Sequence, residues 1–371
     1  MTNHIISTSS ENYLKYHPLS IRSKSSLRNL RDELQDAVEK SHIPGCVIVV
    51  AEKGEIKWAE AFGSRQLHPT QEEMTLDTVF DLASLTKVVA TLPAIFHLID
   101  KGLLYLDSCL KEYFEELGDS PIGDITIAHL LTHTSGLPAR TFLKQYGDSK
   151  NEMIAGILTC PLDYEIGTTV SYSNRGFILL GEVVEKISGM SLFEYVQTHI
   201  WNSLDMHETL FTPSDHDYVL RVAPTEYRED MRSCLKGTVH DENAASLGGI
   251  AGHAGVFSTA NDLVRFCEMI MNKGSYKGKR IVSEPLITQS MHNHTKLLNE
   301  ARGLGWDFFS TSLRENEILG HLGFTGTSLW FDPIKEMYCI FLTNRVHPSR
   351  DSLHIRTIRL SVLDKVFNVR F

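Results

Sequence analysis

The strand-like segments of this chain lie far apart in sequence, and that separation restricts the fold more than any other feature. The stretch GCVIVVAEKGEIKWAEAFGS, from Gly45, reads as two strands around a tight turn at Lys53–Gly54. Near the other end, GHLGFTGTSLWFDP and EMYCIFLTNRV flank a turn near Pro333. The residues between, from about 105 to 240, carry mostly helical pattern and loop, with RGFILLGEVVEKISGMSLFEYVQTHI giving two helices around Gly189. One sheet drawn from both chain ends, with a helical body inserted between its halves, satisfies this pattern and makes the fold α+β. The expected division is a polar leader over 1–23 and a single domain over 24–371. Within it, 24–90 and about 245–371 form the sheet part, and about 91–244 an all-helical part.

Three helices frame that sheet. Leu27, Leu30, Leu34 and Val38 recur at helical spacing, so 25–41 is amphipathic. From Ser84 to Lys101, Val88, Leu92, Ile95 and Ile99 share one face; Pro93 should kink this helix and Gly102 can close it with a left-handed cap. A last helix over about 351–366 carries Leu353, Ile355, Ile358, Leu360 and Leu363.

Composition excludes several classes. With 371 residues, 42% hydrophobic and 22% charged, the chain can bury a large core and is neither disordered nor fibrous. The net charge of −10, without a dense Lys/Arg run, argues against a nucleic-acid partner. No stretch approaches the roughly 20 apolar residues of a membrane span. The six cysteines are scattered without a CxxC pair and read as reduced thiols, several of them buried. The opening MTNHIISTSSENYLKYHPLS lacks the pattern of an export signal, so a cytoplasmic protein is expected, or an exported one if a leader is missing.

The chemistry centres on FDLASLTKVVATL. Residues three apart on a helix are neighbours, so the Ser84 hydroxyl and Lys87 amine can meet. A serine needs a base, and a desolvated lysine with a lowered pKa can be that base. A helix start beside them offers partial positive charge and free N–H groups to developing negative charge. The spacing alone is weak, because serine is also a common helix cap. The chain holds a second copy, Ser233 to Lys236, but that one leads into a polar loop, whereas Ser84 opens an apolar helix.

Two further stretches support Ser84. In SYSNRG, Tyr172 can act as acid or base if nearby cations lower its pKa, and the Asn174 amide can bond a substrate or the lysine. In GHLGFTG, His321–Leu322–Gly323 is expected to open a strand whose edge a substrate can approach. A strand N–H that follows can join the Ser84 N–H as an oxyanion hole.

These three elements, in this order, resemble the serine β-lactamase and penicillin-binding group, defined by SxxK, SDN and KTG motifs. The chain is similar to the class C branch and its relatives, the D-Ala-D-Ala carboxypeptidases, D-aminopeptidases and carboxylesterases. There the second motif is Tyr-x-Asn, matched by Tyr172 to Asn174, and the third is often His-x-Gly, matched by His321 to Gly323. HLLTHTSGLP, GGIAGHAGVFSTANDL, GLGW and LTNR also look like family segments, so the resemblance runs from about residue 30 to the C-terminus.

The resemblance implies a β-lactamase/transpeptidase-like fold, an antiparallel sheet flanked by helices. It also implies roles. Ser84 would be acylated, Lys87 would help deprotonate it, and Tyr172 would protonate the leaving group and activate water. Asn174 would position Lys87 and the substrate amide, and His321 and Gly323 would line the far side of the cleft. Ser84 and Phe324 would supply the oxyanion N–H groups. It does not separate Lys87 from Tyr172 as the main base, since coupled groups titrate together. Where the family has lysine in its third motif, this chain has His321, mostly neutral at pH 7, which weakens the hold on a substrate carboxylate.

The implied activity is a serine hydrolase working through an acyl-enzyme on an ester, an amide or a D-amino-acid peptide. It would be esterase- or DD-peptidase-like rather than an efficient β-lactamase, without a cofactor or metal and with a small-molecule or peptide acyl substrate. The alternatives are a non-catalytic penicillin-binding or sensor protein on the same fold, and a metal-dependent hydrolase. For the last, His129 and His133 stand four apart but lack the glutamate of an HExxH pair. His240, Asp241 and Glu242 are expected in a loop near the cleft mouth, shaping structure or substrate. His253 is expected to be buried packing, and Trp306 and Trp330 core or cleft wall.

Overall fold

The computed structural model describes residues 25–368, so the leader expected over 1–23 lies outside the described residues. The run GCVIVVA is continuously apolar, as a strand covered on both faces must be. It forms β1 (Gly45–Glu52), and Lys53 and Gly54 turn it, both at positive φ, into β2 (Glu55–Gln66). β3 (Glu72–Glu73) follows, and the C-terminal half adds β4 (Asp307–Phe309), β5 (Ile318–Leu322), β6 (Ser328–Asp332) and β7 (Met337–Leu342). The order in the sheet is β4–β5–β6–β7–β1–β2–β3, with all pairs antiparallel. The two chain ends are therefore zipped at β1 and β7, where Val49 faces Ile340.

Alternation along β1 separates two cores. Cys46, Ile48 and Val50 face one way, against Leu27, Leu30 and Leu34 of the helix Ser25–Glu39 and against Val362, Leu363 and Val366 of the helix Ile355–Phe367. Val47, Val49 and Ala51 face the other way, into the larger core with the helix Ala260–Met271 and the helical body. The C-terminal helix begins later than its pattern indicates. Leu353 precedes it, and Leu353 and Leu360 both point to solvent.

The intervening stretch is not all-helical. Beside helices such as Lys150–Leu158 and Asn174–Ser188 it carries the two-residue strands Leu210–Phe211, Tyr227–Arg228 and Ser233–Cys234. Leu210–Phe211 joins Val79–Asp81 and Val256–Thr259 in a small sheet. Gly189 closes the helix Asn174–Ser188 in a left-handed cap, φ +69°. All six cysteines are free thiols.

The apolar segment after Ser84 is less regular than its periodicity suggests. A 3₁₀ turn (Ala83–Leu85) leads into a π-helical turn (Lys87–Thr91), and only then into the α-helix Leu92–Asp100. Pro93 has no N–H to offer the Val89 carbonyl one turn back, and the Trp201 indole N–H, at 3.1 Å, takes that place. By length and composition Ala83–Asp100 could cross a bilayer, but 78% of it is buried inside the protein.

Candidate active site

Ser84 sits on the 3₁₀ turn directly after Ala83, whose φ of +47° is rare for a residue with a Cβ. Asp81 holds this bend. Its carboxylate accepts the Ala83 N–H at 2.8 Å and the His240 N–H at 2.7 Å. The bend presents Ser84, which is partly exposed, while Lys87 one turn on is completely buried.

The Lys87 Nζ lies 3.1 Å from Ser84 Oγ, 2.9 Å from Asn174 Oδ1 and 3.2 Å from the His253 carbonyl oxygen. Burial lowers its pKa to about 7, and the charge of Asp241 opposes that fall. A neutral amine has two N–H groups and one lone pair. The two carbonyl oxygens can take the N–H groups, which leaves the lone pair for the Ser84 hydroxyl.

Tyr172 donates its hydroxyl to the same Oγ at 3.0 Å. Burial pushes this phenol up to about 12, although the Ser84 bond and the Arg302 charge pull the other way. The sequence-based expectation of a tyrosine acidified by neighbouring cations is thus reversed: desolvation outweighs the cation, and near neutral pH the group is a phenol. Ser84, Lys87, Tyr172 and Asn174 converge, with Asn174 opening the helix Asn174–Ser188 and Tyr172 two residues before it.

His321 and Gly323 arrive from the sheet. His321 is the last residue but one of β5 rather than opening a strand, Gly323 lies past its end, and Phe324 is in the turn to β6. His321 is buried beside Tyr172, ring centroids 6.2 Å apart, and its Nδ1 bonds the Leu322 carbonyl at 3.1 Å. Burial, Lys87 and Arg302 hold its pKa well below the ordinary value, so the imidazole is neutral.

The turn after it is stapled to the bend before Ser84. Thr325 Oγ1 donates to the Asp81 carbonyl at 2.7 Å and Thr327 Oγ1 to the Leu82 carbonyl at 2.9 Å. Only glycine fits at 323, where a Cβ would lie 2.1 Å from Thr327 Oγ1 and 2.6 Å from the Leu82 oxygen. The Ser84 and Phe324 amides bond no protein acceptor among the described residues.

Other contacts behind the site escaped sequence reasoning, although Asp241, His253 and His133 were noticed for other reasons. Asp241 caps the helix Glu242–Ser246 and lies 2.9 Å from His253 Nε2, while the His253 carbonyl meets Lys87. Arg302 is buried with its guanidinium 5.9 Å from the Tyr172 ring centroid, paired with Glu300 at 2.7 Å and with Asp307. His133 packs on Tyr172, centroids 4.5 Å apart, and its Nδ1 accepts the Ser173 N–H. No spacing rule links these positions, because contacts made across the tertiary fold leave no periodic trace.

Other candidates fall elsewhere. His129 is committed to a capping interaction, its Nδ1 accepting the Thr126 N–H. His240 stacks on Phe324 at 5.6 Å, and Glu242 pairs with Arg350. Ser233 is exposed, and Lys236 bonds Gln66 at 3.1 Å instead. Trp306 and Trp330 are core.

The Beta-lactamase family model matches residues 30–363. The chain belongs to the beta-lactamase family. Among its family relatives is the N-acetylmuramyl-L-alanine amidase of Bacillus subtilis (strain 168), 30% identical, with 88% of this chain and 82% of that protein covered. A protein of Escherichia coli O157:H7 provisionally named a D-alanyl-D-alanine carboxypeptidase is also 30% identical, over 82% of this chain and 79% of its own length. The beta-lactamase fold recurs in the class C beta-lactamase of Rhodobacter sphaeroides, with a TM-score of 0.74, 20% identity, and 91% and 98% of the two chains covered.

Proposed function

We propose that this protein is a serine hydrolase that works through an acyl-enzyme on esters, amides or D-amino-acid peptides, rather than an efficient β-lactamase. The observation that carries the reading is the Ser84 Oγ held between a fully buried amine at 3.1 Å and a phenol at 3.0 Å.

Ser84 Oγ attacks the substrate carbonyl and gives its proton to the Lys87 lone pair. The new oxyanion is received by the Ser84 and Phe324 amides. Collapse breaks the bond to the leaving group, which takes a proton from Tyr172, and the Lys87 ammonium then returns a proton to the phenolate. In the second half a water follows the same route. Its proton goes to Lys87, its oxygen bonds the acyl carbon, and Ser84 Oγ departs reprotonated. With Lys87 near 7 and Tyr172 near 12, Lys87 is the base and Tyr172 the proton donor in both halves.

The preference against β-lactams rests on His321. A neutral imidazole supplies no fixed charge for a substrate carboxylate. The names of the amidase and carboxypeptidase relatives are consistent with amide and D-amino-acid peptide substrates. Incubation with a chromogenic ester, a D-alanyl-D-alanine peptide and a fluorescent penicillin tests the reading, with intact-mass detection of the acyl adduct. Ser84→Ala should lose both adduct and turnover while remaining folded. An adduct that forms on Ser84→Ala, or turnover within tenfold of wild type, overturns it.

A further inference from the structure

One cavity lies away from Ser84. It has a volume of about 590 Å³ and lies between the C-terminal end of the helix Ala260–Met271, the helix Glu284–Ser290 and the turn end of the β6–β7 hairpin. Leu319 borders it, and Gly323, which faces the Ser84 bend, stands four positions further along the same strand and turn. At about 3.3 Å per residue the two places are about 13 Å apart, at opposite ends of β5. The cavity falls within the range of small-molecule pockets, roughly 300–1,000 Å³.

Its walls are apolar: Met271, Ile287, Met291, Phe308 and Leu319. Two polar groups stand among them without a hydrogen-bond partner among the described residues, although the charges of Arg265 and Lys277 act on one of them, Glu268. The Tyr338 hydroxyl belongs to a side chain only 2% exposed, yet has no hydrogen-bond partner among the described residues. Buried polar atoms left so are few in folded proteins, and each calls for an explanation. Glu268, on the facing helix, is half-buried, and burial raises its carboxyl pKa. Among the described residues no hydrogen bond or ion pair engages that carboxyl. Glu268 and Tyr338 both line this cavity. The rim is balanced, with Lys53 and Lys273 against Glu317 and Glu336. Lys273 is taken by Glu284 and Glu317 by Arg314.

An acid and a hydroxyl among methionine, isoleucine and phenylalanine walls select a particular ligand. A free carboxylate accepts from N–H donors and attracts positive charge, a phenol can accept as well as donate, and the thioether and aromatic walls suit an apolar body. We propose that this cavity is a second ligand site, separate from the Ser84 cleft, for a small amphiphilic primary amine. Its ammonium would bond the Glu268 carboxylate and the Tyr338 oxygen, and its hydrocarbon would lie on Met271, Met291 and Phe308.

The test is calorimetric titration of the full chain at about pH 7.5 with n-hexylamine, n-hexanol and hexanoate, chosen to share a body and differ in the head. Hexylamine should bind saturably with one site, and equally well to Ser84→Ala, which places it outside the catalytic cleft. Glu268→Gln should weaken it by about tenfold or more, the scale of one charge-assisted hydrogen bond. Tyr338→Phe, which keeps the ring and the packing, should weaken it less while leaving the unfolding temperature near wild type. Absence of saturable hexylamine binding overturns the proposal. So does equal affinity for hexanol or hexanoate, or an unchanged affinity in Glu268→Gln.

Discussion

A buried lysine that must be neutral to act as a base leaves a thermodynamic signature, and Lys87→Met exposes it. In the unfolded chain Lys87 titrates near its ordinary 10.5; in the folded protein burial brings it to about 7. Between those values the unfolded state holds a proton that the folded state does not, so stability must rise with pH. Below about pH 7 both states are protonated, and the cost of charging a desolvated amine is present in full, of order 5 kcal/mol from the separation of the two pKa values. Above about 10.5 both are neutral and that cost is gone. The slope between is about 1.4 kcal/mol per pH unit.

Methionine fills the same space without titrating. It also strands Asn174 Oδ1 and the His253 carbonyl, at roughly 1–3 kcal/mol each, but that loss does not vary across this pH range. The difference between the two proteins therefore isolates the lysine whatever its sign at one pH. Urea unfolding of both at about pH 7.5 and 9.5 should show wild type gaining about 3 kcal/mol relative to Lys87→Met. A flat difference would mean that Lys87 keeps its proton in the folded state, and the base assignment would fall with it.

Kinetic predictions follow from the same geometry. The logarithm of kcat/KM should climb with unit slope on the acid side and level off near pH 7, where Lys87 loses its proton; a plateau reached only above about pH 9 contradicts the assignment. Asp241→Asn keeps a good helix cap but removes an anion that holds the Lys87 pKa up, so the acid limb should move to lower pH by about a unit or less, and a move to higher pH contradicts the account. Gly323→Ala should cut kcat/KM by about 10²-fold, because its Cβ must displace Thr327 or the Leu82 carbonyl two residues before the nucleophile; an active variant would show that the staple does not position Ser84.

The legible parts of this protein are those written in local pattern. The β1–β2 hairpin could be read from an apolar run broken by Lys53–Gly54, and the two-ended sheet from strand pattern at both termini. Ser84, Lys87, Tyr172 and Asn174, which the structure brings together, could be singled out from the SxxK and Tyr-x-Asn motifs and the family resemblance they carry. What escaped depends on distant neighbours. The irregular turns after Ser84 are tolerated because Trp201 takes over the Val89 carbonyl. The Asp241–His253–Lys87 chain and the Arg302–Tyr172 contact join segments with no shared periodicity. Phe324 was misplaced on a strand because the pattern does not mark where β5 stops. Leu353 and Leu360 look like core by residue type alone, but the helix turns them outward.

The local rules broken in this chain gather in one short stretch. Within Asp81 to Thr91 lie a carboxylate raised to about 6 by burial, a non-glycine residue at positive φ, a π-helical turn and a fully buried lysine. Each is unfavourable by itself, and such features persist only where surrounding structure over-determines them. Here the surroundings do so from three sides. Thr325 and Thr327 clamp the Asp81 and Leu82 carbonyls, the His240 and Ala83 amides hold the Asp81 carboxylate, and the Gly252 carbonyl accepts the Thr91 hydroxyl at 2.7 Å. The Thr325, Thr327, His240 and Gly252 contacts all come from the C-terminal half of the chain, so the bend that presents Ser84 depends on the docking of that half. The geometry around Ser84 is thus a property of the completed fold, and a fragment ending before residue 240 would carry the Ser84–Lys87 sequence without that geometry.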